Sequence, residues 1–431
     1  MSDKKFLTVS NWRVISCCCW TFSCGFSDAA PGALLPFIED YYGISYTVVS
    51  LIWLANALGF IVIAALSHKI QEWLGMRKSL AFGCFLSWIM YGMVSSGSNF
   101  AVVVVGFFFG GAGIAIGLAQ TNVYLARLEK SSTYLAYNHG SYGVGATISP
   151  LIATVFVDRG VPWNFFYLVL LAQMVAHGPN VWFAFQGIDN EQEVEDREDS
   201  ASIQLDAFTS ASPGVHASGD EPHIMIQALK NKDTWLMALF VLLYQGSEVS
   251  MAGWIVTYLL DYRHGNPSTV GYVASGFWGG LTIGRLFLTP ILYKYFGSRR
   301  SVIVLGISAV IIVIIVWVVP NAVAAGCLVA ISGILIGPNY TLLITMTTRI
   351  IPRKIQVISL TIMTAFGSSG GAIFPFFVGL ISQSAGTYVV LPIFVALYST
   401  MVIVWICLPN VERTNRSSQA VGFEKWWLRV W

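Results

Sequence analysis

"EWLGMRKS" (72–79) reappears 222 residues later as "KYFGSRRS" (294–301). Each copy is a short basic loop that follows the second apolar stretch of its half of the chain: Gly75 lies over Gly297, Arg77 over Arg299 and Lys78 over Arg300. Other segments repeat at nearly the same distance. "FSDAAPGALLPFIEDYYG" (26–43) lies over "GSEVSMAGWIVTYLLDYR" (246–263) at an offset of 220 to 221, and "GATISP" (145–150) resembles "GGAIFP" (370–375). The chain is thus written as two similar halves.

Of its 431 residues, 55% are hydrophobic and 11% charged, and the mean hydropathy is +0.67. Soluble domains are about a quarter charged. A water-soluble fold would have no place for so much apolar surface, so the chain reads as a polytopic membrane protein with lipid as a partner. A net charge of +2 suggests no nucleic acid partner. No metal cluster, phosphate-binding loop or nucleophile constellation is visible, so no cofactor and no enzymatic reaction are expected. Cys17, Cys18, Cys19, Cys24, Cys84, Cys327 and Cys407 all fall in apolar stretches and read as free thiols. Lys4 and Lys5 precede an apolar run that is too long for a cleaved signal and carries Asp28, so it reads as a retained first helix.

Twelve stretches approach the length of about 20 residues that a bilayer crossing needs: 12–37, 47–67, 79–97, 100–126, 134–157, 163–185, 234–260, 269–292, 301–319, 322–347, 357–381 and 388–408. With both termini on one side, 21 of the 24 basic residues fall there, Arg159 and Arg263 fall opposite, and Arg285 lies within a helix. The positive-inside rule makes that side cytoplasmic, and the plasma membrane is the expected setting. Between the sixth and seventh spans, 189–221 holds ten acidic residues and one arginine, the composition of a disordered tether. The expected fold is an all-α membrane protein of twelve helices in two pseudo-symmetric six-helix halves. Residues 1–186 and 233–411 form the halves, 187–232 a disordered acidic linker, and 412–431 a cytoplasmic tail. Parallel repeats of this kind place a solute site near the midplane, between the halves.

The loop "HKIQEWLGMRK" (68–78) resembles the G-x-L-a-D-r-x-G-r-[KR] motif of the major facilitator superfamily. Gly75, Arg77 and Lys78 match; Glu72 stands where aspartate is usual, and His68 replaces the first glycine. The likeness covers essentially the whole chain. "GGAGIAIGLAQTNVYLARL" (110–128), "YNHGSYGVGATISP" (137–150) and "YQGSEVSMAGWIVTYL" (244–259) resemble the fucose-permease-like proteins, including their fungal and animal branches. The resemblance implies a monomeric secondary active transporter that moves a small organic solute, such as a sugar, together with H+ or Na+ by alternating access. It implies a gating role for Glu72, Gly75, Arg77 and Lys78, and for Gly297, Arg299 and Arg300 in the second half. Fungal proteins of this kind also include exporters of secondary metabolites. A non-transporting sensor on the same fold is a further alternative. The family carries one coupling carboxylate on its first helix, which Asp28 matches, and another on its fourth, where this chain has Gln120 and Asn122 instead.

Asp28 and Glu248 are related by the repeat, "SD" over "SE". An acid at the centre of a membrane helix costs roughly 2.5–3.5 kcal/mol on insertion scales. Two such acids facing one cavity from opposite halves make an ion-coupling site. The bland alternative is a carboxylate satisfied by a neighbour, such as Tyr244 one turn from Glu248. Arg285 could pair with Glu248, bind an anionic solute, or act as a gate arginine reaching toward the cytoplasm. Gln120, Asn122, Tyr124, Asn56, Tyr244, Gln245 and Asn339 offer amides and phenols to a polar solute, His139 could relay protons, and Trp254 and Trp278 are candidate stackers. Packing is the alternative for each tryptophan. Gly113/Gly117, Gly276/Gly280/Gly284 and Gly333/Gly337 show small-xxx-small spacing, which lets helices approach closely.

Overall fold

The computed structural model describes residues 9–189 and 221–410, and among them every regular element is helical. We number the α-helices α1 Val9–Tyr42, α2 Tyr46–Val49, α3 Leu51–Ser95, α4 Phe100–Arg127, α5 Ser131–Asp158, α6 Phe166–Ala184, α7 Glu221–Lys230, α8 Lys232–Asp261, α9 Pro267–Ile283, α10 Thr289–Val318, α11 Ala322–Ile350, α12 Arg353–Ala385 and α13 Val390–Cys407. A π-helical turn, Gly284–Leu288, carries α9 into α10. Helices dominate because lipid offers no partner to a backbone N–H or C=O, and a helix satisfies both within one segment.

Two of these helices are each two pieces joined at a glycine. Gly75 sits at φ 69°, ψ 176° in α3, and Gly297 at φ 76°, ψ 168° in α10. The left-handed φ suits glycine, which has no Cβ to clash. The repeated sequence thus makes the same sharp turn twice, and splitting α3 and α10 there gives the twelve crossings. By length and hydropathy alone only eight described stretches stand out, and α1 is not among them. α1 is rich in Ser, Thr and Cys and is buried along most of its length. Shielded from lipid, it does not need a fully apolar surface.

The repeat extends to the helix ends. Asn99 and Asn321, 222 residues apart, cap α4 and α11 by accepting from Val102 N at 3.1 Å and Ala324 N at 2.9 Å. Such caps satisfy one of the amides that a helix start leaves open. At the other end of the bundle, Arg13 donates to Ala184 O (3.0 Å) and Gln186 O (3.1 Å) at the close of α6. Arg299 donates to Ile406 O and Leu408 O, both 2.8 Å, at the close of α13. The carbonyls are repeat-related, but the arginine comes from α1 in one half and from α10 in the other.

The halves meet where α1 crosses α8. A Cβ on Gly32 would stand 2.2 Å from Ala252 O, and Gly32 and Ala252 are equivalent positions at the offset of 220. The crossing therefore lies on the pseudo-symmetry axis. α9 and α11 show the same close approach: a Cβ on Gly280 would meet Ala330 O at 2.2 Å, and one on Gly333 would meet Phe277 O at 2.3 Å.

The linker expectation needs correction at both edges. Asp189 Oδ1 accepts from Met76 N at 2.7 Å, where the chain restarts as a helix after Gly75. Residues 221–230 form α7, whose Ala228 is buried, and Trp235 Nε1 donates to Leu229 O at 2.7 Å. An acid beside freed amides, and an apolar side chain able to pack on the bundle, give these residues structure that acidic composition hides. Residues 1–8, the acidic middle of the linker (190–220) and the tail from 411 onward lie outside the described residues.

Candidate functional site

We call the end of the bundle that holds Val9, Gly75, Gly297 and Asn410 the terminal end, and the opposite one the far end. Asp28 lies part-way along α1, and its side chain is exposed while Ser27, Ala29 and Ala30 beside it are buried. α1 packs on α5, α6 and α8, inside the bundle. An exposed acid on such a helix therefore fronts an internal cavity between the halves. One of its oxygens, Oδ2, accepts from Tyr142 Oη at 3.0 Å. Tyr142 reaches across from α5, and its ring meets Trp278 of α9 edge-on at 6.3 Å. Next to it, a Cβ on Gly143 would strike Thr282 Oγ1 at 2.3 Å. The partner of Asp28 therefore stands on the seam between the halves.

Glu248, its repeat mate on α8, is in a different setting. It is 3% exposed, and both its oxygens accept from Arg285 Nη2, at 3.0 and 3.2 Å. The same nitrogen lies 3.2 Å from Tyr244 Oη. The π-turn that begins at Gly284 carries Arg285, and π-bulges often mark functional sites. Removing one partner of a buried ion pair leaves an uncompensated charge, typically worth about 3–5 kcal/mol. The charges of Asp28, Glu248 and Arg285 all act on Tyr142, and that of Arg285 acts on the exposed His139. These groups form one electrostatic cluster.

Several candidates keep unsatisfied polar atoms. Trp278 Nε1, Gln245 Oε1 and Arg285 Nε are buried and have no hydrogen-bond partner among the described residues. Buried polar atoms are ordinarily satisfied, so these are atoms a polar solute could engage. Asn122 Oδ1, Gln120 Oε1 and Asn339 Oδ1 are also buried and without a partner among the described residues. Some candidates also have structural partners. Trp254 is fully buried and donates to Pro375 O at 3.0 Å. Asn339 donates to Tyr398 Oη within the second half. Gln120 is 2% exposed, with its amide 3.4 Å from Gln71 Oε1. Tyr124 is buried edge-on against Phe185. Asn56 is half-buried at the α3–α4 contact, where its carbonyl would meet a Cβ on Gly111 at 1.8 Å.

Arg77 and Arg299 brace their own halves. Arg77 donates to Trp182 O at 2.9 Å and lies 3.9 Å over the Trp182 ring. Gly75 and Gly297 make the two turns, and Arg299 braces α13 as described above. Glu72 and Lys78 are exposed, and Arg300 is half-buried. Sequence reasoning missed Tyr142 as the partner of Asp28, and Arg13 as a brace. Tyr142 shares a helix face with His139, which was the one available signal.

This geometry is that of a two-half membrane transporter with a charged cavity between the halves. The sequence matches the Major Facilitator Superfamily over residues 17–375, and the chain belongs to that family. It is 26% identical over 397 residues to bypass of stop codon protein 6 of Saccharomyces cerevisiae, covering 87% of this chain and 78% of that one. It is 20% identical over 414 residues to the glucose/mannose transporter GlcP of Bacillus subtilis, covering 94% and 95%. The fold matches the crystal structure of a D-xylose-proton symporter at a TM-score of 0.71 and 11% identity, over 93% of this chain and 98% of that one. The protein is a multi-pass membrane transporter of twelve helices, not an enzyme.

Proposed function

We propose that the protein is a secondary transporter that moves a small polar solute of the sugar class by alternating access, driven by a proton carried on Asp28. The observation that carries this reading is the exposed Asp28 carboxylate within the buried stretch 25–35 of α1, held by one neutral donor, Tyr142. A carboxylate so held can take and release a proton as water access changes, and intramembrane acids of this kind mark ion pathways. The similarity to a glucose/mannose transporter and to a D-xylose-proton symporter supports the solute class. Trp278 and Arg285 supply an aromatic face and unsatisfied polar atoms near Tyr142, the partner of Asp28, which suits a hydroxyl-rich ring. Glu248 serves as the counter-ion that holds Arg285 in the cavity wall.

The contacts that close the halves cluster toward the far end. Trp53 meets Trp254 at 5.7 Å, and a Cβ on Gly379 would strike Ser50 and the Tyr46 carbonyl. Asp28 and His139 are exposed on the terminal side of this closure. The arrangement is that of a state open at the terminal end. The basic-residue bias supports a cytoplasmic setting for that end, with both termini inside; a plasma-membrane location and a monomeric working unit are part of the same proposal.

Purified protein in liposomes tests this. Wild type should concentrate a hexose or pentose when a proton gradient is imposed and not when a sodium gradient is. Asp28→Asn should bind and exchange the same solute yet lose accumulation. Accumulation by Asp28→Asn with wild-type pH dependence would refute the proposal.

A further inference from the structure

At the far end, beyond the first span (12–37), two carboxylates from opposite halves share one small region. Glu39 stands in the last turn of α1, and Asp261 closes α8. Tyr46, which opens α2 seven residues after Glu39, holds the second of them. Its Oη donates to Asp261 Oδ2 at 2.5 Å, and its backbone N–H donates to Gln383 Oε1 of α12 at 2.9 Å. Both acceptors belong to the second half, so Tyr46 ties the halves together. Glu39 is half-buried, and its Oε1 is buried with no hydrogen-bond partner among the described residues.

We propose that Glu39 and Asp261 form a second proton-binding site, separate from Asp28, whose protonation latches the far end of the two halves shut. The proposal rests on the two-half fold and this cluster, not on the role of Asp28. The groups facing Glu39 are Asp261 from α8 and Tyr46 from α2, with Tyr42 on its own last turn. No cation offsets the pair there among the described residues. Arg263, the nearest basic residue in sequence, is turned away onto Tyr258 Oη (2.8 Å), Val316 O and Trp317 O. Asp40, Asp158, Arg159 and His264 at this end are exposed to solvent. Two ionised carboxylates across a closing seam repel each other, whereas one proton turns the repulsion into a tolerable contact.

The sign follows from linkage. Burial, then the charge of Asp261, pushes the Glu39 carboxyl up to about 8 in this closed arrangement. When the seam opens and water returns, the group falls back to an ordinary carboxylate value of about 4.3. The closed form therefore holds a proton that the open form releases. Closure is favoured at low pH and weakens as pH rises between these values, by at most about tenfold per unit. An acidic medium at the far end thus both supplies protons and resets that end to closed.

Spin labels read the seam directly. Ser98→Cys and Ser384→Cys are exposed far-end positions, one in each half. They can be placed in full-length protein in lipid nanodiscs, with Cys18, Cys19, Cys327 and Cys407 replaced by Ser. The inter-label distance should be short at about pH 5.5 and should gain a longer component by about pH 8.5, values that bracket the titration. Glu39→Gln should stay short at both values. Tyr46→Phe, which keeps the ring but loses the link to Asp261, should show the longer component already at a pH about two units below that of wild type. Asp158→Asn, which neutralises an exposed acid at the same end, should keep the wild-type response. The proposal is overturned if the wild-type distance ignores pH, if Glu39→Gln still responds, or if the response vanishes in Asp158→Asn.

Discussion

On α1 the carboxylate of Asp28 meets a phenol, and on α8 that of Glu248 meets a guanidinium. The two acids occupy equivalent places in the repeat, and their helices cross at Gly32 and Ala252. Their chemistry differs because their partners do. A carboxylate paired with arginine remains charged and fixed. A carboxylate held by a neutral hydroxyl, in a cavity, can be neutral at one moment and charged at another. The repeat therefore duplicates the scaffold while the chemistry diverges. On the proposed reading, the first half holds the group that exchanges an ion, and the second holds an arginine–carboxylate pair. The helix-end braces teach the same lesson, since equivalent carbonyls at the ends of α6 and α13 are held by arginines from non-equivalent places.

The comparison is broken most sharply at Arg285. Arg285→Ala strips Glu248 of its partner and should cost about 3–5 kcal/mol, because an unpaired charge stays buried. Thermal unfolding in detergent checks this. Asp28→Asn, measured alongside, should leave the melting temperature nearly unchanged. Equal losses in the two variants would mean the acids are equivalent after all.

The turns sharpen the comparison next. Gly75→Ala should destabilise by about 1–2 kcal/mol from left-handed strain alone. It should lose more than that because the new Cβ would stand 2.6 Å from Asp189 Oδ1. Adding Asp189→Ala to Gly75→Ala should recover the excess, and denaturation midpoints of Gly75→Ala, Asp189→Ala and the double variant give the comparison.

The smallest effects are expected on solute binding. Gln245→Ala removes a buried amide oxygen of α8 that has no partner among the described residues and should weaken binding about tenfold, the worth of one good hydrogen bond. Gln120→Ala removes an amide whose nitrogen is already engaged by Gln71 and should change affinity less than twofold. Equilibrium binding of a labelled sugar to purified protein ranks the two. The reverse ranking would move the solute site into the first half.

Much of the fold was legible in advance, and less of the site. The apolar stretches, the repeat and the glycine-basic loops pointed to twelve helices, and Asp28 and Glu248 were conspicuous as acids among apolar residues. Trp254 read equally well as a solute contact, yet Pro375 takes up its hydrogen bond. Nothing local distinguishes a polar side chain aimed at a cavity from one aimed at a neighbouring helix.

The sequence by itself determined the number of crossings and the two-fold plan, because both follow from backbone hydrogen bonding in lipid, which each segment must satisfy alone. Tertiary structure alone decided that Asp28 finds Tyr142, 114 residues away, and that Glu248 finds Arg285, 37 residues away. The physical reason is the solvent. In water, a polar face and an apolar stripe reveal which side of a helix turns inward. In a bilayer the lipid-facing and core-facing sides are both apolar, so the rotation of each helix is set by close packing at residues such as Gly32, Gly143 and Gly280. That rotation selects which polar groups meet, and with them the chemistry of the cavity.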